Sequence, residues 1–294
     1  MILGDNVMSE STHENAISIK YNKDFSVIQA NELVRSKQDE LTLLEAKIVR
    51  LAITQIVRED NQLNTYTCNV VDLANFLGID NHNIYRDIQD IARSLIKKSI
   101  FIKDKNNPRR RGKENYVVFN WVDFIEYRDG VITFKLNDKL KPYLLGLEQL
   151  FTMYGYDAII GLPTNNSIRL YELLASYQNM TVRNLPDTNY TDIEIARNEF
   201  IFTIDYLREY FNCHDKYPNT GDFVKNVIDS SVKAILKNTI MRVGYRKVKT
   251  GRSISHIVFK IDSSWRDTDI TEQIYKLRGW EFNPPAEKGG ITEV

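Results

Sequence analysis

No stretch of this 294-residue chain approaches the ~18–20 consecutive apolar residues that span a bilayer, so no membrane span is expected. Cysteine is scarce. Cys68 and Cys213 stand far apart and neither belongs to a C-x-x-C pair, which argues against a disulfide framework or a cysteine zinc site and fits a reducing cytoplasm. The polar, acidic start MILGDNVMSESTHEN lacks a basic head and an apolar run, so no secretory signal is expected. The four histidines (His13, His82, His214, His256) are isolated, without the His-x-His or His-x-x-x-His spacing of a metal-assisted nuclease. No G-x-x-x-x-G-K-[ST] loop is present to cradle nucleotide phosphates, and no G-x-S-x-G elbow to carry a nucleophile. The cluster Asp123, Glu126 and Asp129 falls at a strand end and turn, where solvated carboxylates are common. No catalytic residue, metal or cofactor is expected.

Net charge is absent too, since 39 Lys and Arg balance 39 Asp and Glu. The zero hides an alternation. Residues 82–113 hold ten basic and three acidic groups, and 221–260 hold nine and two, on an acidic background elsewhere. Two separate basic islands suggest two surfaces for a polyanion, because Lys and Arg gain affinity by displacing the counterions condensed on phosphates. At 294 residues, with a prior of roughly 100–200 per domain, about two domains are expected.

The islands sit in matching contexts. Leu41–Val57 places Leu41, Leu44, Ile48, Leu51 and Ile56 near helical spacing, which predicts an amphipathic helix. A β-prone stretch follows at 65–71. Asp72 then reads as the cap of a short helix stopped by Gly78, and a second helix covers 84–98. After it come a strand at 99–103, a basic turn at 106–112, a strand at 116–127, the turn Arg128-Asp129-Gly130 and a strand at 131–136. The second half repeats the order: a helix at 167–177, a β-prone 200–204, Asp205 capping the next helix, and a helix over 222–237. A strand at 239–245, the basic turn 246–253 and a strand at 254–261 complete it. The pattern is a duplicated helix–turn–helix with a β-hairpin, an α+β fold of tandem winged-helix domains. In such a fold the second helix fits a major groove and the hairpin wing reaches phosphates.

At 100° per residue, the first such helix turns Ile84, Ile88, Ile91, Ala92 and Leu95 inward and Arg86, Gln89, Asp90, Arg93 and Lys97 outward. The second turns Phe223, Val224, Val227, Ile228, Ser231, Ala234 and Ile235 inward. Its outward set is Asp222, Lys225, Asn226, Asp229, Lys233 and Lys237. Arg, Lys, Gln and Asn pair with G or A edges, and Asp with cytosine N4. The turns Arg109-Arg110-Arg111-Gly112-Lys113 and Arg246-Lys247-Val248-Lys249-Thr250-Gly251-Arg252 would supply the phosphate contacts that set register.

Several segments carry a family resemblance: Gln29-Ala30-Asn31-Glu32-Leu33, Leu41-Thr42-Leu43-Leu44-Glu45-Ala46-Lys47-Ile48, and above all Ser167-Ile168-Arg169-Leu170-Tyr171-Glu172-Leu173-Leu174. Asp222–Ile228 and Gly251-Arg252 with Ile257-Val258-Phe259 join them. Over residues 24–262 the chain resembles the two-winged-helix replication initiators of iteron-containing plasmids, the initiator replication family. The resemblance implies binding to direct repeats (iterons) of a double-stranded origin, without enzymatic activity. It also implies melting of the origin, recruitment of a host initiator ATPase and replicative helicase, and repression of the initiator's own promoter by a dimer. Bases would be read chiefly by Lys225, Asn226, Asp229, Lys233 and Lys237. Phosphates would be held by Arg246, Lys247, Lys249 and Arg252, and by Arg109, Arg110, Arg111 and Lys113, with Arg86, Gln89, Arg93 and Lys97 on the first module's helix. The expected layout is a tail (1–23), a first winged-helix domain for backbone contacts and homodimerisation (24–150), a second as main reader (151–265), and a tail (266–294). Two alternatives stand beside it: a two-module winged-helix repressor, and a nicking initiator that uses one of the 16 tyrosines.

Overall fold

In the computed structural model, which describes residues 16–79, 84–103, 115–178 and 199–261, the first half begins with β1 (Ile17–Ser18), inside the segment 1–23 expected to be a tail. Next come β2 (Ser26–Ala30), α1 (Asn31–Arg35) and β3 (Lys37–Gln38). The helix expected over 41–57 is α2 (Leu43–Thr54). Thr42 starts it through a reciprocal capping box, its Oγ1 accepting from Glu45 N at 3.2 Å while Glu45 Oε2 accepts from Thr42 N at 2.7 Å. The expected amphipathic stripe is wrong in one respect: from Glu45 to Thr54 every residue is buried, polar ones included. A helix enclosed on all sides is a core element, and Leu51, fully buried, belongs to that core.

β4 (Thr65–Asn69) leads into α3 (Val70–Leu77), and α4 (Ile84–Leu95) follows. The cap of α3 is Asn69, whose Oδ1 accepts from Val71 N at 2.8 Å, and not Asp72, which lies in the first turn. Likewise Thr203, and not Asp205, caps α8 (Ile204–Tyr210), accepting from Tyr206 N at 3.0 Å. Both aspartates still favour their helices, since negative charge in a first turn meets the positive end of the dipole. Gly78 ends α3 at φ 68, as its lack of a side chain permits.

The single strand expected at 116–127 is two. β5 (Ser99–Lys103) pairs with β3 on one side and β6 (Tyr116–Asn120) on the other in one sheet, whereas β7 (Val122–Arg128) and β8 (Val131–Leu136) pair in another, ordered β1-β4-β8-β7. The switch is at Trp121, whose indole is fully buried and whose backbone joins Lys98 O and Asn137 N. A 3-10 turn (Asp138–Leu140), α5 (Lys141–Leu144), β9 (Phe151–Gly155, paired with β2), α6 (Tyr156–Gly161) and α7 (Asn165–Tyr177) complete this half.

The second half holds β10 (Glu199–Thr203), α8 and a long helix α9. It ends in β11 (Val243–Thr250) and β12 (Ser253–Ile261). α9 runs as Thr220–Phe223, a π-helical stretch Val224–Asp229 and Ser230–Asn238. Its sheet is ordered β10-β12-β11, the same topology as β4-β8-β7. The duplication is therefore real, but the hairpin equivalent to β11–β12 is β7–β8. The β5–β6 hairpin, expected to match the second wing, is an addition to the first module. These are two winged-helix modules in an α+β fold.

α7 joins them. It packs on α1, α2 and β9 on one side and on α9 on the other, and the buried apolar side chains of both halves form one connected core. Its polar residues account for the SIRLYELL motif. Glu172, fully buried, accepts from Arg50 Nε at 3.0 Å, Arg50 Nη2 at 2.9 Å, Gln29 Nε2 at 3.0 Å and the Tyr154 hydroxyl. Arg169 donates to Val34 O at 3.3 Å and Ser36 O at 2.9 Å and stacks over the Tyr210 ring at 3.9 Å. Tyr210 in turn donates to Val34 O at 3.1 Å, so a second-module side chain caps the end of α1. The motif is structural: Glu172 braces the first module from within, and Arg169 links it to the second.

Candidate nucleic-acid interface

The polar side of α9 forms as the sequence pattern predicts, with a shift. Lys225, Asn226, Lys233 and Lys237 are exposed and Asp229 is half-buried. Val232 is buried although the regular wheel leaves it outside the inner set. A π-helical stretch has more residues per turn than the 3.6 of an α-helix, so a 100° wheel drifts across it. Ser230, also exposed, belongs to the outer face and escaped the pattern for lack of charge. The helix spends side-chain donors on its own carbonyls here: Asn226 Nδ2 donates to Asp222 O at 2.9 Å, and Ser230 Oγ donates to Asn226 O at 2.5 Å. Part of the donor capacity of Asn226 is thus turned to the helix backbone.

Asp229 is the most engaged residue of this face. Its Oδ2 lies 2.8 Å from Lys233 Nζ, and the Tyr245 hydroxyl of β11 lies 3.5 Å from its Oδ1. The bond from Lys233 is the chief reason the Asp229 carboxyl sits below its ordinary pKa, and the same contact raises that of Lys233. The contact also shows that the wing strand runs beside the polar side of α9.

The wing differs from the expected basic turn over 246–253. Arg246, Lys247 and Lys249 lie in β11, and the turn is only Gly251-Arg252, with Gly251 at φ 62. A left-handed residue suits a two-residue hairpin connection, which is why the strands continue almost to the tip. β10 ends at Thr203 opposite His256, so the hairpin from Lys249 to Ser255 projects beyond the sheet. Lys247, Lys249 and Arg252 are exposed. Arg246 differs, its Nη2 meeting Glu199 Oε2 at 3.1 Å. Tyr245, which carries no charge, is the wing residue that sequence reasoning missed.

On the first module the exposed side of α4 carries Arg86, Gln89, Asp90 and Arg93, as expected, whereas Lys97, placed on a helix expected to run to residue 98, is exposed in the turn after the helix ends at Leu95. Two of these cations meet acids on the same helix, Arg86 with Asp87 at 3.6 Å and Arg93 with Asp90 at 3.5 Å. A cleft of about 750 Å³ separates the end of α4 from Asp39 and Glu40, so Arg93, Lys97 and Lys98 face an acidic wall. The β7–β8 hairpin ends level with β4, Asn69 opposite Val131, and its tip carries Glu126 paired to Arg128 at 2.9 Å, then Asp129. Arg109, Arg110, Arg111 and Lys113 lie outside the described residues, as does His82. Among the described residues no cluster of His, Cys, Asp and Glu could hold a metal, and no helix is long and apolar enough to cross a membrane.

Two family models match the chain, the first winged helix of initiator replication proteins over residues 26–175 and the second over residues 203–261. The chain also resembles the crystal structure of the Pi initiator protein in complex with iteron DNA. There the TM-score is 0.62 and identity 21%, covering 82% of this chain and 99% of that one, a likeness that establishes the fold. An uncharacterised 27.6 kDa protein of Escherichia coli is 21% identical over 253 residues, which is 81% of this chain and 96% of that protein.

Proposed function

Since the chain belongs to the initiator replication protein family, we propose that it starts plasmid replication by binding direct repeats in the origin, chiefly through its second module. The observation that carries this reading is the union of α9 and the β11–β12 wing into one cationic surface. Lys225, Lys233 and Lys237 stand on the helix, Lys247, Lys249 and Arg252 stand on the hairpin, and the Asp229–Tyr245 contact joins the two. A helix of this kind reads base edges in a major groove while a projecting hairpin holds the flanking phosphates. The solved Pi complex, a protein of the same fold, holds iteron DNA.

The finer steps follow from the same premise. Binding energy deforms and opens an adjacent AT-rich tract, and on this reading the protein breaks no bond itself. The first module adds backbone contacts, or forms the interface of a dimer that represses the initiator's own promoter. A host initiator ATPase and a replicative helicase then join at the opened origin, in the cytoplasm.

Footprinting on the DNA that flanks the chain's own gene tests the core of this reading. Regularly spaced protected direct repeats, each blocked in the major groove, are the expected result. Protection of one isolated palindrome, with no repeat array and no support of a plasmid that carries the site, would make the protein a repressor. Metal-dependent cleavage of an origin strand would make it a nicking enzyme.

A further inference from the structure

Taking the proposed α9 interface as given, we infer that Asp229 is a positioning residue, which ties Lys233 of the reading helix to Tyr245 of the wing and does not itself contact a base. A carboxylate on a surface that meets DNA is a liability, because every nearby phosphate repels it. This one is met by a neighbouring group at each oxygen. Lys233 Nζ lies 2.8 Å from Oδ2, the Tyr245 hydroxyl lies 3.5 Å from Oδ1, and the carboxylate is half-buried while the lysine is largely exposed. Lys247 on the same wing strand adds a further attraction to Asp229.

The chemistry of the pair explains its use. A lysine on a four-carbon stem samples many rotamers, and fixing it on a base costs binding free energy. An ammonium has three donors. With one directed back to Asp229, two remain for guanine O6 and N7 or a phosphate, and the stem is already ordered. The same carboxylate sets the wing beside the helix through Tyr245, so the two elements meet the duplex in one geometry. The cytosine contact that Asp229 offers on paper competes with the lysine, whose Nζ already lies 2.8 Å from Oδ2.

The test measures specific and scrambled duplex binding by the full-length protein carrying D229A, D229N, K233A and the double variant D229A/K233A, beside D229E and Y245F. The expected result for D229A is a loss of roughly three- to tenfold on the specific site, the size of one lysine's ordering cost. Scrambled DNA is held equally or more tightly, because a repelling charge has gone. D229A adds little once Lys233 is already alanine, D229E restores most of the loss, and Y245F weakens specific binding less than D229A does. Three outcomes overturn the inference: D229N switching the preferred base pair at one position of the site, D229A and K233A adding independently, or a loss that merely follows the melting temperature with the specific-to-scrambled ratio unchanged. Should the wild-type protein itself fail to distinguish repeat from scrambled DNA, the interface reading falls as well. Failure of the variants alone leaves that reading standing.

Discussion

Replacing Glu172 by Gln should cost about 3–5 kcal/mol of stability, the usual result of leaving one member of a buried ion pair without its partner. The size follows from the surroundings. Arg50 is 1% exposed and Glu172 is fully buried, so solvent cannot reach the guanidinium once the opposing charge has gone. Glu172 accepts four hydrogen bonds, two from Arg50 and one each from Gln29 and Tyr154. A glutamine side chain turns one of those acceptor oxygens into a donor facing other donors. In a protein of this size 1 kcal/mol shifts the melting temperature by about 2–4 °C, so calorimetry should record a fall of roughly 6–20 °C. The pH dependence follows from the same site. Burial alone would raise the Glu172 pKa, but Arg50 beside it outweighs that and holds it below the ordinary carboxylate value. A carboxyl depressed in the folded state contributes stability that is complete above its unfolded value, about 4.3, and is lost as pH falls through the folded value. The gap between wild type and E172Q should therefore be widest near neutrality and close in acid. Removing both charges together, as in R50M/E172L, should recover part of the loss, because well-packed apolar groups dispense with the desolvation cost. A melting temperature for E172Q within 2 °C of wild type at pH 7, or a gap that widens on acidification, would refute the reasoning.

Two further outcomes test local features. T42A removes the reciprocal cap of α2 and should cost about 0.5–2 kcal/mol by urea unfolding, with DNA affinity unchanged at temperatures where the protein stays folded. G251V puts a β-branched residue at φ 62 and should cost about 1–2 kcal/mol from the left-handed backbone alone. Nothing lies within 4 Å of the added Cβ, so G251N, which tolerates that conformation, should recover most of the loss. An equal penalty for both variants would place the effect elsewhere.

The doubled plan was readable in the sequence because apolar spacing and the short turn signals survive duplication: Gly78 and the order helix, strand, helix, helix, hairpin are local features. What escaped was set by pairing between distant strands. Nothing in Tyr116–Tyr127 announces that Trp121 carries the chain from one sheet to another, because both parts are equally β-prone and only the buried indole and the partners at Lys98 and Asn137 divide them. That break also hid which hairpin is the first module's wing. The caps shifted from Asp72 and Asp205 to Asn69 and Thr203 because several adjacent residues have suitable side chains, and the backbone selects among them. On the candidate surface the described cations that the pattern turned outward are exposed, but the ion pairs that qualify them depend on rotamers: Asp229 with Lys233, Arg246 with Glu199, Arg93 with Asp90. Of the charges in SIRLYELL, Arg169 meets Tyr210 across the two modules while Glu172 pairs with Arg50 inside the first, contacts that a one-dimensional pattern does not show.

The two modules, alike in topology, differ where it matters for a polyanion. The first hairpin stops level with its sheet and ends in Glu126, Arg128 and Asp129, with the only cation at its tip already paired to Glu126 among the described residues. The second projects and ends in Lys249 and Arg252, for which no acidic partner is found among the described residues. Counterion release counts phosphates neutralised, so each lost contact should lower the slope of log affinity against log salt by about 0.9. On the proposed reading K249A and R252A each lower that slope by about this amount on specific and scrambled duplexes alike, while R128A leaves it unchanged. Had the first module's hairpin served as a second wing, R128A would act like K249A. Equal slopes for R128A and K249A would move the phosphate grip off the second wing and return the two modules to equal partnership on the duplex.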